Sequence, residues 1–316
     1  MKIIKRITVI VLLVLLSACS NQGNTNNPND LTISNYDSNK NKQDQTFTKV
    51  PEKVLVVYQN SIETMLALGL EDHIVAAAGL DHKVKDEYAT AFKKVNYLQD
   101  FTPDEESVIA LKPDMIISWS SYFNEKTLGD VNKWHEKGIN TFIASNTAQS
   151  KRTLENEYSD ILNIGKIFKV EEKAQKIVDE MKNKVTEVKE KTKNSPKKKV
   201  LVIEYINNEA TVYGKDSLVG DMVTNLNGEI IDANGKSIDA EAILTLNPDV
   251  IFTVYMDRDN QDMSKQSIKT ITANKQLAKL DAVKNNKVFA IALGESYCSG
   301  IRNIDGLNIL NKGMHE

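Results

Sequence analysis

The fold is decided by a helix-turn-strand segment that occurs twice in the chain. The first copy is Ser107-Val108-Ile109-Ala110-Leu111-Lys112-Pro113-Asp114-Met115-Ile116-Ile117-Ser118, and the second is Glu241-Ala242-Ile243-Leu244-Thr245-Leu246-Asn247-Pro248-Asp249-Val250-Ile251-Phe252. In each copy the pattern predicts an amphipathic helix that ends before a proline, then an aspartate, then a buried strand. The prolines at 113 and 248 lie 135 residues apart, which indicates two topologically related halves.

The segments around the two copies alternate between strand and helix patterns. Val54-Leu55-Val56-Val57 and Ile74-Val75-Ala76-Ala77-Ala78 are predicted strands on either side of a helical stretch at 61–68, and Val200-Leu201-Val202-Ile203 is the counterpart of the first strand. Alternating strands and helices favour parallel α/β sheets. We therefore predict an α/β protein with two Rossmann-like lobes, at residues 51–169 and 196–316.

One charged helix is predicted to join the lobes at residues 170–195. Apolar side chains recur there at helical spacing among Glu and Lys: Val170, Ala174, Ile177, Val178, Met181, Val185 and Val188. At ~1.5 Å per residue the helix would be roughly 36 Å long. A single stiff helix resists large hinge closure, so the ligand cleft is expected between two lobes that move little.

The N-terminus has the features of an export signal. Lys2, Lys5 and Arg6 precede an apolar stretch at 7–16 that is too short to span a bilayer as a stable helix. Leu16-Ser17-Ala18-Cys19 resembles the bacterial lipobox, which predicts a signal peptide at 1–18 and lipidation of Cys19. The polar stretch at 19–50 contains few apolar residues, so we predict a flexible tether there.

Composition excludes several classes of protein. The chain has 316 residues, 41% hydrophobic and 26% charged, with a formal net charge of −3. That balance gives no strong field for nucleic acid, and two cysteines exclude a disulfide-dense scaffold. The four histidines are too scattered for a bare Zn(II) or Mn(II) site, and no common hydrolase, metalloprotease or nucleotide-binding motif occurs. We therefore predict a binding protein and not an enzyme.

Aromatic side chains are concentrated where the predicted strands end, in a chain that is only 6% aromatic. Ligands of open α/β sheets bind beyond the carboxyl ends of strands. The candidate ligand-binding residues are Tyr58, His82, Trp119, Tyr122, Tyr205, Tyr255, Met256, Arg258, Tyr297 and Arg302. This set favours a large planar or aromatic ligand with acidic oxygens facing the arginines, although a tyrosine in such a position also occurs as ordinary half-buried core.

The order of these motifs resembles one family. The lipobox, the two Pro-Asp segments, the linking helix and a final Ser299-Gly300-Ile301-Arg302-Asn303-Ile304-Asp305-Gly306-Leu307 are similar to the substrate-binding lipoproteins of iron-complex ABC importers. The resemblance covers roughly residues 50–314. It implies a monomer that is lipid-anchored outside the cell membrane and carries a ferric siderophore, haem or cobalamin to a permease with its ATPase. It also implies docking through one acidic residue on each lobe, Glu63 and Asp221.

The choice of ligand stays open at this stage. A siderophore already saturates its iron, so aromatic walls and basic residues suffice and no resident cofactor is needed. Haem would leave axial positions for His82 or Met256, and cobalamin would make less use of the arginines. We expect a ferric siderophore, with haem as the alternative; an exported enzyme or a surface lipoprotein without transport is a more distant one. Cys298 is assigned no chemistry.

Overall fold

The computed structural model describes residues 30–206, 209–233, 237–257 and 261–316. The predicted signal peptide, Cys19 and Arg258 lie outside these residues. The strands are β1 Leu31–Tyr36, β2 Lys42–Phe47, β3 Val54–Val57, β4 Ile74–Ala78, β5 Met115–Ser118, β6 Asn140–Ile143, β7 Lys199–Ile206, β8 Glu209–Val212, β9 Glu229–Ile230, β10 Ser237–Ile238, β11 Val250–Tyr255 and β12 Val288–Ala292. The helices are α1 Gln59–Ala67, α2 Ala89–Phe92, α3 Glu105–Leu111, α4 Val131–Glu136, α5 Ser145–Ala148, α6 Leu154–Ile167, α7 Glu171–Thr192, α8 Leu218–Asn225, α9 Ala240–Leu246, α10 Ser264–Thr272, α11 Asp281–Lys284 and α12 Asn303–His315.

Each lobe is built on its own sheet. The N-terminal sheet has the order β4-β3-β5-β6 and is entirely parallel. In the C-terminal sheet, of order β10-β8-β7-β11-β12, the strands β7, β11 and β12 run parallel while β8 runs antiparallel to β7. The predicted α/β fold class with two lobes is confirmed.

The repeated Pro-Asp segment has the same structure in both lobes. Asp104 and Asp239 cap helices α3 and α9 by accepting hydrogen bonds from backbone N–H groups in the first turn. Both helices end at a residue in the left-handed conformation, Lys112 with φ 51° and Asn247 with φ 39°. The two copies therefore begin and end by the same local devices.

The aspartate after each proline ties its helix to the neighbouring strand. Asp114 accepts hydrogen bonds from the backbone N–H groups of Glu52 and Lys53, both at 2.9 Å, just before β3 begins. Asp249 accepts one from Lys199, at 2.8 Å, at the first residue of β7. A carboxylate at the start of one strand thus fixes where the adjacent parallel strand begins.

Helix α7 joins the lobes, within the range 170–195 predicted for it. Its 22 residues span roughly 33 Å, and Ala174, Val178, Met181, Val185 and Val188 are buried along one face. These side chains belong to a core cluster that also contains residues of both sheets. The lobes therefore share one continuous apolar core around α7.

The prediction of a flexible tether at 19–50 is wrong for residues 31–47. These residues form an antiparallel ribbon of β1 and β2 that packs on the N-terminal lobe. The side-chain amide of Asn35 accepts from the N–H of Ile143 at 2.7 Å and donates to its carbonyl at 3.0 Å, while Gln45 accepts from the N–H of Thr141. Side-chain amides thus form hydrogen bonds with backbone groups at the outer edge of β6. The polar residues that indicated disorder instead cover this edge of the sheet.

Two carboxyl groups of α6 are buried where the lobes meet. Glu157 accepts hydrogen bonds from Asn146 at 2.5 Å and from the backbone N–H of Gly300 at 2.6 Å. Asp160 accepts from the backbone N–H and hydroxyl of Ser145, at 2.7 and 2.5 Å. Burial raises the pKa of Asp160 to about 8, and it also raises the pKa of Glu157.

Among the described residues, no helix combines the length and apolar character needed to span a bilayer.

Replacing Asp114 or Asp249 by alanine tests the strand ties. We expect Asp114→Ala to lower the free energy of unfolding by about 2 kcal/mol and Asp249→Ala by about 1 kcal/mol, because the first loses two backbone partners and the second one. Urea unfolding measures both. Asp44→Ala, at an exposed site on β2, is the matched control and should change little; equal losses in all three variants would contradict the assignment.

The buried Asp160 predicts a pH dependence of stability. Since its folded pKa lies above its unfolded value, the folded state retains a proton between roughly pH 4 and 8, and the free energy of unfolding falls as the pH rises through that window. One such proton contributes a slope of up to about 1.4 kcal/mol per pH unit. Urea unfolding at pH 5 to 8 should show a smaller slope for Asp160→Asn than for the wild type. An unchanged slope would exclude Asp160 as its source.

Candidate functional site

The strand ends of both lobes meet at one place. Tyr58 directly follows β3, His82 lies in the loop after β4, and Trp119 directly follows β5. Tyr255 ends β11, and Tyr297 follows the short turn after β12. The carboxyl ends of parallel strands thus bring the predicted residues of the two lobes into contact, as expected for an α/β protein.

Four of the predicted rings form a continuous group, which we call the aromatic seam: Tyr58, Trp119, Tyr122 and Tyr297. The ring of Trp119 lies 3.5 Å from that of Tyr58 and 5.3 Å from that of Tyr297, measured between centroids. Tyr122 lies 5.7 Å from Tyr58. Because Tyr297 belongs to the C-terminal lobe, the seam crosses the boundary between the lobes.

The backbone at Tyr58 is strained. Its φ of 91° lies in a region that non-glycine residues seldom adopt, at a cost on the order of 1–3 kcal/mol. Its N–H donates to the carbonyl of Ala78 at 2.8 Å, and a Cβ at Gly79 would lie 3.3 Å from the Tyr58 nitrogen, so the close approach of β3 and β4 holds the conformation. Strain of this kind is concentrated at functional sites.

A hydrogen-bonded chain runs from the seam into the lobe interface. The indole N–H of Trp119 donates to the side-chain oxygen of Asn60 at 2.8 Å, and the Asn60 amide donates to the sulfur of Cys298 at 3.3 Å. Burial raises the pKa of the Cys298 thiol well above its ordinary value, with the nearby Glu157 and Asp160 acting in the same direction. Cys298 is therefore a buried thiol without the features of a reactive one.

Beside the seam, His82 pairs across the lobes with Asp257. The distance from His82 Nδ1 to an Asp257 oxygen is 3.1 Å, and the His82 ring lies 5.8 Å from the ring of Tyr255. His82 Nε2 is buried without a hydrogen-bond partner among the described residues. The predicted residue is therefore at the site, but the opposite lobe covers it.

Three more predicted residues line a pocket in the C-terminal lobe. Tyr205, Tyr255 and Met256 surround about 290 Å³ together with side chains of α10. Tyr205 packs into the outer core of this lobe, and its hydroxyl accepts a hydrogen bond from Asn274 at 3.3 Å. Tyr255 also contacts the His82 ring, while Tyr205 lies on the side of the sheet that faces α10.

A hollow larger than this pocket lies elsewhere in the described structure. It measures about 1190 Å³, and its lining comes from α6, α7 and α12, with many exposed charged side chains. It receives no strand end and none of the aromatic residues. We therefore place the candidate site at the seam.

The structure buries both Glu63 and Arg302, and their roles in docking and ligand binding stay predictions. Glu63 has no exposed surface, and Arg302 is 7% exposed. The two side chains pair with each other, with distances of 2.5 and 2.8 Å between guanidinium nitrogens and carboxylate oxygens. The Glu63 carboxylate also accepts from the N–H of Lys85, and Arg302 donates to the carbonyl of Lys83. Because the two residues lie 239 positions apart, local sequence patterns do not indicate that they pair.

Asp221 takes part in a contact between the two lobes. It is half-buried in the first turn of α8, and one carboxylate oxygen accepts a hydrogen bond from the N–H of Leu154 at 2.9 Å. Leu154 opens α6 in the N-terminal lobe, so Asp221 caps a helix of the other lobe. Its role in docking stays a prediction.

Sequence reasoning missed several charged and polar residues at the seam. The Arg152 guanidinium lies over the Tyr297 ring, 4.5 Å from its centroid. Tyr213 donates to Glu204 at 3.3 Å, and Asp81 is a hydrogen-bond partner of Tyr58. Asp81 and Glu204 are adjacent in sequence to predicted residues, so the same strand-end argument could have found them; Arg152 precedes α6 and carried no such signal.

The described residues contain no group of three or more His, Cys, Asp or Glu side chains placed to hold a metal ion.

Comparison with known proteins gives consistent results. The family model described as "Periplasmic binding protein" matches residues 54–292. The chain is 28% identical over 280 residues to YvrC of Bacillus subtilis, an uncharacterized ABC transporter substrate-binding lipoprotein, covering 86% of this chain and 83% of that protein. It is also 28% identical over 303 residues to the petrobactin-binding protein YclQ of Bacillus subtilis, covering 92% and 91% of the two chains.

Solved structures share the fold. A periplasmic binding protein from Veillonella parvula superposes with a TM-score of 0.84 at 30% identity, covering 90% of this chain and 92% of that chain. The crystal structure of YclQ superposes with a TM-score of 0.69 at 25% identity, covering 91% and 99%. The resemblance drawn from the Pro-Asp segments is confirmed at this level, and the chain belongs to the periplasmic binding protein family.

Proposed function

We propose that this protein is the extracytoplasmic solute-binding lipoprotein of an ABC importer, and that it captures a ferric siderophore and delivers it to the permease. One observation carries the proposal: the aromatic seam crosses the two lobes at the carboxyl ends of their parallel strands. The relatives YvrC and YclQ support the assignment to an ABC importer and to an iron chelate.

The seam fits a ligand that already holds its metal. Flat faces of Tyr58, Trp119 and Tyr297 offer stacking area at low conformational cost, and tyrosine hydroxyls add hydrogen bonds at the edge of each ring. Because a siderophore fills the coordination sphere of iron, the protein binds the chelate and leaves the metal to it. The activity is capture and release without catalysis, and the permease with its cytoplasmic ATPase supplies the energy for transport.

Localisation follows from the N-terminus. Lipidation of Cys19 would hold the protein at the outer face of the cell membrane, as a monomer beside its permease. Between Cys19 and the first described residue, Asp30, the chain can extend at most about 36 Å. The folded body would therefore stay close to the membrane.

Haem is the second candidate, and one observation favours it. His82 Nδ1 is held by Asp257, leaving Nε2 without a partner, which is how a histidine is oriented as an axial ligand. The Nε2 atom is covered, however, and iron would reach it only if the lobes separated. The siderophore needs only that the rings part, so we prefer it.

A panel of ligands tests the function. Hydroxamate, catecholate and citrate ferric siderophores, haem and cobalamin should be mixed with the folded body, and melting temperature measured. At a free ligand concentration of one hundred times the Kd we expect ~2.7 kcal/mol of stabilisation, or a shift of about 5 °C, from a ferric siderophore and none from free Fe(III). Shifts with haem alone would select the second candidate. If no compound shifts the transition, the proposal is wrong.

Tryptophan fluorescence tests the position of the site. The chain has two tryptophans, Trp119 in the seam and Trp134, which is fully buried in the N-terminal lobe. Trp119→Phe should abolish most of the quenching caused by a bound ferric siderophore, and Trp134→Phe should retain it. Tyr297→Ala should weaken binding about tenfold because the seam loses one of its stacking faces. Quenching that persists in Trp119→Phe would place the ligand elsewhere.

A further inference from the structure

We propose that the seam selects iron chelates of neutral or positive charge and discriminates against chelates that carry several negative charges. The inference rests on the proposed function and names the charge class of its ligand. It depends on where the structure puts the carboxylates and guanidinium groups around the aromatic seam.

The positive charge of Arg302 is neutralised by carboxylates of the protein itself. Its guanidinium contacts both oxygens of Glu63, and a nitrogen lies 4.0 Å from an oxygen of Glu295. The side chain is only 9% exposed. A negatively charged ligand would therefore meet a guanidinium whose charge is balanced by neighbouring carboxylates and which water barely reaches.

The N-terminal wall of the seam presents a carboxyl group to the ligand. Asp81 is a hydrogen-bond partner of Tyr58, and its charge acts on Tyr122. One of its oxygens is buried without a partner among the described residues. Burial raises the pKa of Asp81, with Tyr58 and His82 opposing the shift. A cationic group placed here would stabilise the ionised carboxylate that burial disfavours.

The C-terminal wall presents a second carboxyl group. Glu204 is half-buried near the end of β7 and accepts a hydrogen bond from Tyr213, whose own environment includes Tyr297 and Arg152. Outside the seam, Asp257 and Glu295 act on Tyr255, but Asp257 pairs with His82 and Glu295 lies 4.0 Å from Arg302. Both walls of the seam therefore carry acidic groups.

Two cations are described near the seam, and of these Lys83 is paired with a carboxylate, whereas Arg152 is held by a ring and a carbonyl oxygen. Arg152 lies over the Tyr297 ring, and its Nε donates to the carbonyl of Asn146 at 2.9 Å. Lys83, at the rim, pairs with Asp86 at 2.6 Å. A chelate with three negative charges would meet carboxylates on two sides against one guanidinium fixed on a ring. Repulsion of about 1.4 kcal/mol from one carboxylate would weaken binding about tenfold.

Three ferric chelates of different charge test the inference: ferrioxamine B, which is cationic, ferrichrome, which is neutral, and ferric enterobactin, which is a trianion. Dissociation constants are measured by fluorescence titration and by calorimetry. We expect the first two to bind at least tenfold more tightly than the trianion. Higher salt should weaken the binding of ferrioxamine B and leave that of ferrichrome nearly unchanged.

Two conservative variants identify the carboxylates responsible. Asp81→Asn and Glu204→Gln keep an oxygen to accept the tyrosine hydrogen bond while removing the charge. Each should reduce the ratio of affinities between ferrioxamine B and the trianion about tenfold. Glu180→Gln, on the exposed side of α7, is the control with the same charge change and should leave the ratio unaltered. The ratio is taken within one preparation, so a partly unfolded variant does not distort it.

The outcomes distinguish failure of the charge selection from failure of the proposed siderophore function. If the trianion binds as tightly as the other chelates, or if both seam variants leave the ratio unchanged, the charge selection is wrong and the siderophore function stands. If none of the three chelates binds but a ferric citrate siderophore does, the charge selection is wrong and the siderophore function stands. If no ferric siderophore of the panel binds, both fail.

Discussion

The arrangement of the two lobes depends on the buried ion pair between Glu63 and Arg302. Glu63 lies in the first helix of the N-terminal lobe, and Arg302 immediately precedes the last helix of the chain. Removing two charges from water is costly, and here backbone partners at Lys83 and Lys85 complete their hydrogen bonding. Loss of one partner from such a pair typically costs 3–5 kcal/mol, since the other charge is then buried alone. The C-terminal segment is therefore fixed to the N-terminal lobe at one defined position.

Other contacts around that pair make the junction stiff. Gly300 has φ 51°, and a Cβ there would lie 2.6 Å from the Thr64 hydroxyl, so only glycine allows this approach. Its N–H donates to the buried Glu157, and Lys85 pairs with Asp305 at 2.8 Å nearby. With helix α7 and its shared apolar core, these contacts leave little freedom for a hinge.

How much the sequence predicts depends on how far apart in the chain the interacting residues lie. The helices and strands, the two lobes and the linking helix follow from local periodicity and from the Pro-Asp repeat, and the structure confirms the resulting fold. The ribbon at 31–47 was missed because its stability comes from Ile143 and Thr141, about a hundred residues away, and polar composition alone indicates disorder. The seam residues could be predicted because each one lies within a few residues of the end of a strand. Pairing between side chains of different strand ends depends on packing, which periodicity does not encode.

The contrast between local sequence patterns and contacts of distant residues also affects how the charged residues at the site are interpreted. From the sequence alone, Arg302 lies near a strand end and is therefore predicted to bind an acidic ligand, while Glu63 is predicted to dock to a partner. In the structure each neutralises the other, and the acidic residues adjacent to predicted positions, Asp81 and Glu204, become the charged groups that face the rings. A charged residue near a site favours a ligand of opposite charge only when no internal counterion has claimed it. By that criterion two carboxyl groups, those of Asp81 and Glu204, stand against one guanidinium at the seam, that of Arg152, which has no carboxylate partner among the described residues. The proposed preference against polyanionic chelates follows from that excess of carboxyl groups and not from the number of arginines in the sequence.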